Sequence, residues 1–139
     1  MDGTLEPGIL LAHKPVGGTS FQVVRQRVAA FREAGHKKPA VGHGGTLDPF
    51  AHGLLLVLQG QATRLMELMH PLPKTYEATV AWGRETDTCD LQGQGISEGD
   101  AQALTPDALE AALAGLLGWR DQVPPATSAK RIDGERAYA

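Results

Sequence analysis

Asp48 stands in the run His43-Gly44-Gly45-Thr46-Leu47-Asp48-Pro49-Phe50, between a leucine and a proline, on a stretch too rich in glycine and proline for a helical surface. A carboxylate on so tightly turned a backbone can be aimed at a ligand, as a nucleophile or as a stabiliser of developing charge. The Asp-Pro pair equally fits an Asx turn, in which the side chain only closes the loop. The two glycines do not build a phosphate cradle, because no Gly-Lys-Ser/Thr follows at a helix start. His36 and His43 are spaced outside the usual short ligand intervals, and no HExxH-type pattern is present, so no metal site is expected. The stretch Asp87 to Gly95 carries two acids but lacks the alternating oxygen ligands and closing glutamate of a calcium loop, and reads as a turn. There is no Ser/His/Asp elbow, and the single cysteine, Cys89, excludes an internal disulfide, as in a reducing compartment.

The elements that must position Asp48 follow from hydrophobic period and punctuation. Gly8 to His13 reads as a buried strand, and Lys14 to Ser20 as a turn. Thr19 and Gln22 have the spacing of a capping box, so a helix is expected up to Gly35, with Phe21, Val24, Val28 and Phe31 inward and Arg25, Arg27 and Arg32 on the other sides. Residues 36–52 read as a loop, Gly53 to Leu58 as a second buried strand, and Ala62 to Met69 as a short helix. Thr75 to Trp82 alternates, with Tyr76, Ala78, Val80 and Trp82 on one face, and predicts a half-buried strand. Gly83 to Leu104 reads as a long acidic loop. A last helix is expected from Thr105 as N-cap and Pro106 at its first position to Gly118, followed by a short strand near Ile132.

With 139 residues the chain is the size of one domain, and folding would bury about two thirds of its unfolded-chain surface. Its 42% hydrophobic and 21% charged residues are those of a globular chain. The longest apolar run, Leu54 to Leu58, is far too short to span a bilayer, and Met1 to Leu11 lacks the basic start of a signal peptide, so a soluble cytoplasmic protein is expected. The net charge of −3 hides an asymmetry: residues 1–40 hold six Lys/Arg against three acids, and residues 81–120 hold two against seven. Charge alone leaves a solvated surface and a nucleic-acid partner both open.

Four blocks then combine: "GILLAHKPVGGTS", "GHGGTLDPFAHGLLLVLQGQATRL", "KTYEATVAWGRETDTCD" and "PPATSAKRIDGERAYA". In content, order and spacing they resemble the bacterial tRNA pseudouridine synthase B family over nearly the whole chain. The resemblance implies an α+β pseudouridine synthase fold, a mixed and largely antiparallel sheet with packed helices. It implies an isomerase that converts uridine to pseudouridine at position 55 in the T arm of tRNA, with no cofactor, metal or obligatory protein partner. Asp48 matches the family's nucleophile and Tyr76 its active-site tyrosine, whose ring stacks on the flipped uracil. His43 matches a histidine that enters the RNA loop, and Lys14 and Arg64 fall in matching blocks as supports of the fold or contacts to phosphate. A non-catalytic RNA-binding fragment and an RNA-guided relative acting on ribosomal RNA are the alternative readings.

Some positions depart from the family pattern. His13 replaces the usual acid before Lys-Pro, Gly44-Gly45 the usual Thr-Gly, and Thr127-Ser128-Ala129 the usual Tyr-Ser-Ala. The family's later Lys-Gly-Thr-Tyr-Ile-Arg block, whose arginine pairs with the nucleophilic Asp, and its C-terminal PUA domain do not appear before Ala139. The expectation is a partial catalytic domain over residues 1–139, weakly active or inactive by itself.

Overall fold

A computed structural model describes residues 6–121, 131–132 and 135–136. The chain divides into two compact units, Met1–Tyr76 and Glu77–Ala139.

The first unit is built on a three-stranded antiparallel sheet. Strands β1 (Gly8–Lys14), β2 (Val41–His43) and β3 (Gly53–Gln59) lie in the order β1-β3-β2. The register pairs Leu10 with Val57, Ala12 with Leu55 and Lys14 with Gly53, and His43 with Val57 from the other side. Because strand side chains alternate, these residues share one face. Ala12, Leu55 and Val57 there form a core with Val23, joined by the partly buried Leu10 and Val41.

Val23 belongs to helix α1 (Ser20–Glu33), whose start is the expected capping box. Gln22 N–H donates to Thr19 Oγ1 at 3.2 Å, and Thr19 N–H donates to Gln22 Oε1 at 2.7 Å. The inward stripe differs from the expected one. It runs through Ser20, Val23, Val24, Arg27 and Phe31, whereas Phe21 lies 62% exposed. Arg27, expected outside, is drawn in because its Nε donates to Gln59 Oε1 and its guanidinium lies 5.4 Å from the Phe31 ring centre. Gln59 in turn donates from Nε2 to the Glu6 carbonyl at 3.1 Å.

β2 falls within the stretch expected to be loop. Three residues are too few to show a period, and pairing with β3 is what makes them a strand. Beyond β3 the chain forms a 3₁₀ turn over Gly60–Leu65 and a single α-turn, α2 (Met66–Met69), where one short helix was expected. Here the glycines matter: a Cβ on Gly42 would collide with Met66, and one on Gly44 would lie 3.1 Å from the Met69 Cβ. Gly44 therefore permits a close approach of α2, not a left-handed turn.

The expected strand from Thr75 to Trp82 is not found. A strand needs a ladder partner, and among the described residues none pairs with this segment, so Tyr76, Val80 and Trp82 stay exposed.

In the second unit, Gly83 to Leu104 is not a loop throughout but holds the hairpin β4 (Arg84–Thr86) and β5 (Gly95–Glu98). Its turn is the acidic stretch noted in the sequence. Asp90 Oδ1 accepts from the Thr88 hydroxyl at 2.7 Å and from Gln92 N–H at 2.8 Å, and Asp87 Oδ1 accepts from Gln94 N–H at 2.8 Å. The Thr88 hydroxyl first, then the Gln92 N–H, lower the Asp90 carboxyl below its ordinary value. Helix α3 (Pro106–Ala114) starts as expected, with Thr105 Oγ1 accepting from Ala108 N–H at 3.2 Å, but ends at Gly115 before Gly118 is reached. The strand near Ile132 is β6 (Arg131–Ile132), paired with β7 (Glu135–Arg136). Thr127-Ser128-Ala129 lies outside the described residues. Among the described residues no helix is long and apolar enough to cross a membrane.

Candidate active site

The loop between β2 and β3 carries Asp48, and it is pinned on both sides of that residue. Leu47 is held by Ser20, whose hydroxyl accepts from Leu47 N–H at 2.9 Å and donates to the Leu47 carbonyl at 3.2 Å. Pro49 is held by Gly17, whose N–H donates to its carbonyl at 2.7 Å. The deepest anchor is Lys14. Its side chain is fully buried, and Nζ donates to the carbonyls of Ala51 at 2.7 Å and Pro15 at 2.9 Å, with the Pro49 carbonyl at 3.5 Å. An ammonium has three donors and no acceptor, so three carbonyls match its capacity and offset its removal from water.

The geometry bears on the Asx-turn reading of Asp48. An Asx turn needs the carboxylate to accept a backbone N–H two residues on. Instead the Asp48 carbonyl accepts from Ala51 N–H at 3.1 Å, a backbone turn over residues 48–51 with Pro49 at its second position, where proline's fixed φ fits. Among the described residues the Asp48 carboxylate makes no hydrogen bond and no ion pair, and the residue is exposed. The loop thus holds the backbone of an acid whose oxygens are left for something else. This is the arrangement a preorganised nucleophile needs: a fixed Cα and free lone pairs.

The other sequence candidates fall around this loop in different ways. His43 ends β2, half-buried, and its Nδ1 is hydrogen-bonded to the Gly45 carbonyl, which sets the ring's orientation and leaves Nε2 as its other polar atom. Lys14 serves the loop from within, so of its two readings the geometry is that of support. Arg64 lies exposed on the 3₁₀ turn, with no ion pair among the described residues. Tyr76 is 67% exposed at the end of the first unit.

Two contributors lie in the matching blocks but are not singled out by their local chemistry. Ser20 reads as a residue next to a helix cap, and only the fold shows it clamping Leu47. Lys74 folds back on the end of α2, donating to the carbonyls of His70 at 2.9 Å, Leu72 at 3.0 Å and Met69 at 3.4 Å. Its stem passes the Asp48 loop, since a Cβ on Gly45 would lie 3.9 Å from the Lys74 Cε. The segment that carries Tyr76 therefore starts beside the loop that carries Asp48.

Comparison with known proteins gives this geometry a context. The N-terminal domain of the TruB family pseudouridylate synthases matches residues 32–139. The tRNA pseudouridine synthase B of Arthrobacter sp. (strain FB24) is 45% identical over 133 residues, covering 95% of this chain and 42% of the relative. That of Acaryochloris marina (strain MBIC 11017) is 45% identical over 131 residues, covering 94% and 43%. That of Thermotoga maritima is 40% identical over 134 residues, covering 96% and 41%. The chain spans about two fifths of the length of these relatives.

Proposed function

The chain belongs to the TruB family of pseudouridylate synthases, and on that premise we propose that it carries the nucleophile-bearing part of a tRNA pseudouridine synthase, acting on uridine 55 of the T arm through Asp48. The observation that carries this reading is the unpaired, exposed carboxylate of Asp48 on a loop pinned at Leu47, Pro49 and Ala51.

The chemistry asks for little more than such a group. The bond from ribose C1′ to uracil N1 breaks, the base turns, and a bond from C1′ to C5 forms. The C5 hydrogen leaves as a proton and N1 gains one, so the reaction balances without oxidant or co-reactant. A carboxylate assists by covalent or charge-stabilising contact with the sugar or base while the glycosidic bond is open. A uridine stacked within a folded RNA loop must first be extruded, and an exposed aromatic is what a flipped base stacks on. Tyr76 fills that role in this reading, with His43 reaching the RNA loop, Arg64 meeting phosphate, and Lys14 holding the catalytic loop. In the same reading the 139 residues are the N-terminal part of the catalytic domain. The guanidinium that faces Asp48 then comes from the arginine of the family's later block.

A chimera tests the function. The chain replaces the matching 133 residues of the Arthrobacter relative, and the hybrid is given tRNA tritiated at uracil C5. The expected result is one tritium released per tRNA, and none from tRNA with cytidine at position 55. Failure of a folded, tRNA-binding hybrid to release tritium overturns the reading.

A further inference from the structure

With Arg27 turned inward, the outer flank of α1 keeps Arg25 and Arg32, both expected outside, and gains Phe21, which was expected inside. At 100° per residue, Phe21, Arg25 and Arg32 fall within one narrow sector, well away from the stripe of Val23, Val24, Arg27 and Phe31 that meets the sheet. All three are exposed, Phe21 by 62%. Beyond the end of the helix, Lys37 and Lys38 are exposed as well. Glu33 is the only acid between residues 20 and 40, and it lies about 100° around the helix from the centre of the flank. Among the described residues none of these four cations has a carboxylate within ion-pair distance, because the one ion pair found there joins Glu67 and His70. A solvated helix face commonly carries alternating charge and no large aromatic; this flank carries one sign of charge and a phenyl ring.

We infer that Phe21, Arg25, Arg32, Lys37 and Lys38 form a docking surface for the phosphate backbone of the substrate RNA, an inference that rests on the reading of the chain as acting on tRNA. Arg25 and Arg32 lie two turns apart, about 10 Å along the axis, so they meet different phosphates of one strand. Lys37 and Lys38, exposed just past the helix end, add two further cations for neighbouring phosphates. Phe21 supplies a flat apolar face for a ribose or an unpaired base beside them. Arg27 takes no part, being committed to Gln59 and Phe31. The surface gives affinity and orientation without reading sequence, which suits an enzyme whose specificity lies in the loop that presents the target uridine.

The test is the salt dependence of tRNA binding by the 139-residue chain, measured between about 50 and 200 mM salt. Arg25→Ala with Arg32→Ala should lower the slope of log K against log salt by about 1.4 to 1.8, two phosphate contacts at about 0.7 to 0.9 each. Lys37→Ala with Lys38→Ala should act alike. Arg84→Ala, an exposed arginine of the acidic second unit, should leave the slope unchanged. Phe21→Ala should weaken binding at least about five-fold with no change of slope. An unchanged slope in the double arginine variant, with its circular dichroism spectrum preserved, overturns the inference and leaves the catalytic reading standing. An equal fall with Arg84→Ala also overturns it, by showing a diffuse field. No binding of tRNA by the unsubstituted chain overturns the inference, whereas the functional reading is decided separately by tritium release from the hybrid.

Discussion

The two units of the chain have opposite charge and opposite economy of structure. Residues 1–76 carry eight Lys/Arg against five acids, and residues 77–139 carry five against eleven. The first unit holds every buried apolar residue found, from Ala12 to Leu58, around a sheet and a capped helix. In the second, no described residue is buried, and Leu91, Leu117 and Trp119 are among the exposed apolar side chains. Its hairpin and helix rest on local bonds: the Asp87 and Asp90 turn, and the Thr105 cap. The contrast shows what a fixed site requires. Asp48 is held by residues distant in sequence, 35 and 37 positions from Lys14 in the case of Pro49 and Ala51 and 27 from Ser20 to Leu47, and such contacts exist only where a core brings them together.

The sharpest way to break this comparison is to cut into each unit alike. Leu55→Ala, in the core, should cost about 2 to 5 kcal/mol and strip hydrogen-exchange protection from β1 and β3. Leu117→Ala, 79% exposed, should stay within about 0.5 kcal/mol. Equal effects would show that the second unit has a core of its own. Next in size, Lys14→Met should destabilise the first unit by about 2 to 4 kcal/mol, since at least two carbonyls lose a close donor. Urea unfolding followed by circular dichroism reads it, and a loss no larger than that of an exposed lysine would show that the loop holds itself. Smaller still, Thr105→Ala should loosen α3 by about 1 kcal/mol without touching exchange in β1 or β3.

The smallest effect is one of pH. The Asp90 carboxyl is lowered in the folded hairpin, so its contribution is complete above the ordinary carboxylate value of 3.8 and is lost as pH falls through the folded value. The Gln92 amide resonance should move across that lower window, and Asp90→Asn should abolish the movement. A response centred above 3.8 would contradict the turn described.

The sequence was most legible where a signal is local. Thr19 with Gln22, and Thr105 with Pro106, announce helix starts by chemistry confined to a few residues, and both are found. The apolar runs of β1 and β3 are equally plain. What stayed hidden depends on partners. β2 is a strand only because β3 lies beside it, and Arg27 is buried only because Gln59 and Phe31 receive it. Alternation from Thr75 to Trp82 states which side chains would share a face, but it cannot supply the ladder. The hairpin from Arg84 to Glu98 has both faces exposed and so shows no hydrophobic period at all. For the site, local chemistry left Asp48 divided between an Asx turn and a ligand-facing acid, and the four matching blocks weighed toward the second. The structure adds what neither could: the turn closes through the Asp48 carbonyl, so the carboxylate is spared.

The central claim is that this spared carboxylate is the nucleophile. Its most direct test is single-turnover tritium release by the hybrid with the Arthrobacter relative, comparing the unsubstituted sequence with Asp48→Asn at matched tRNA occupancy. The account predicts unchanged tRNA affinity and a rate lower by about 10⁴-fold or more, the scale of losing an essential nucleophile. A hybrid that keeps its rate with asparagine at position 48 would contradict it.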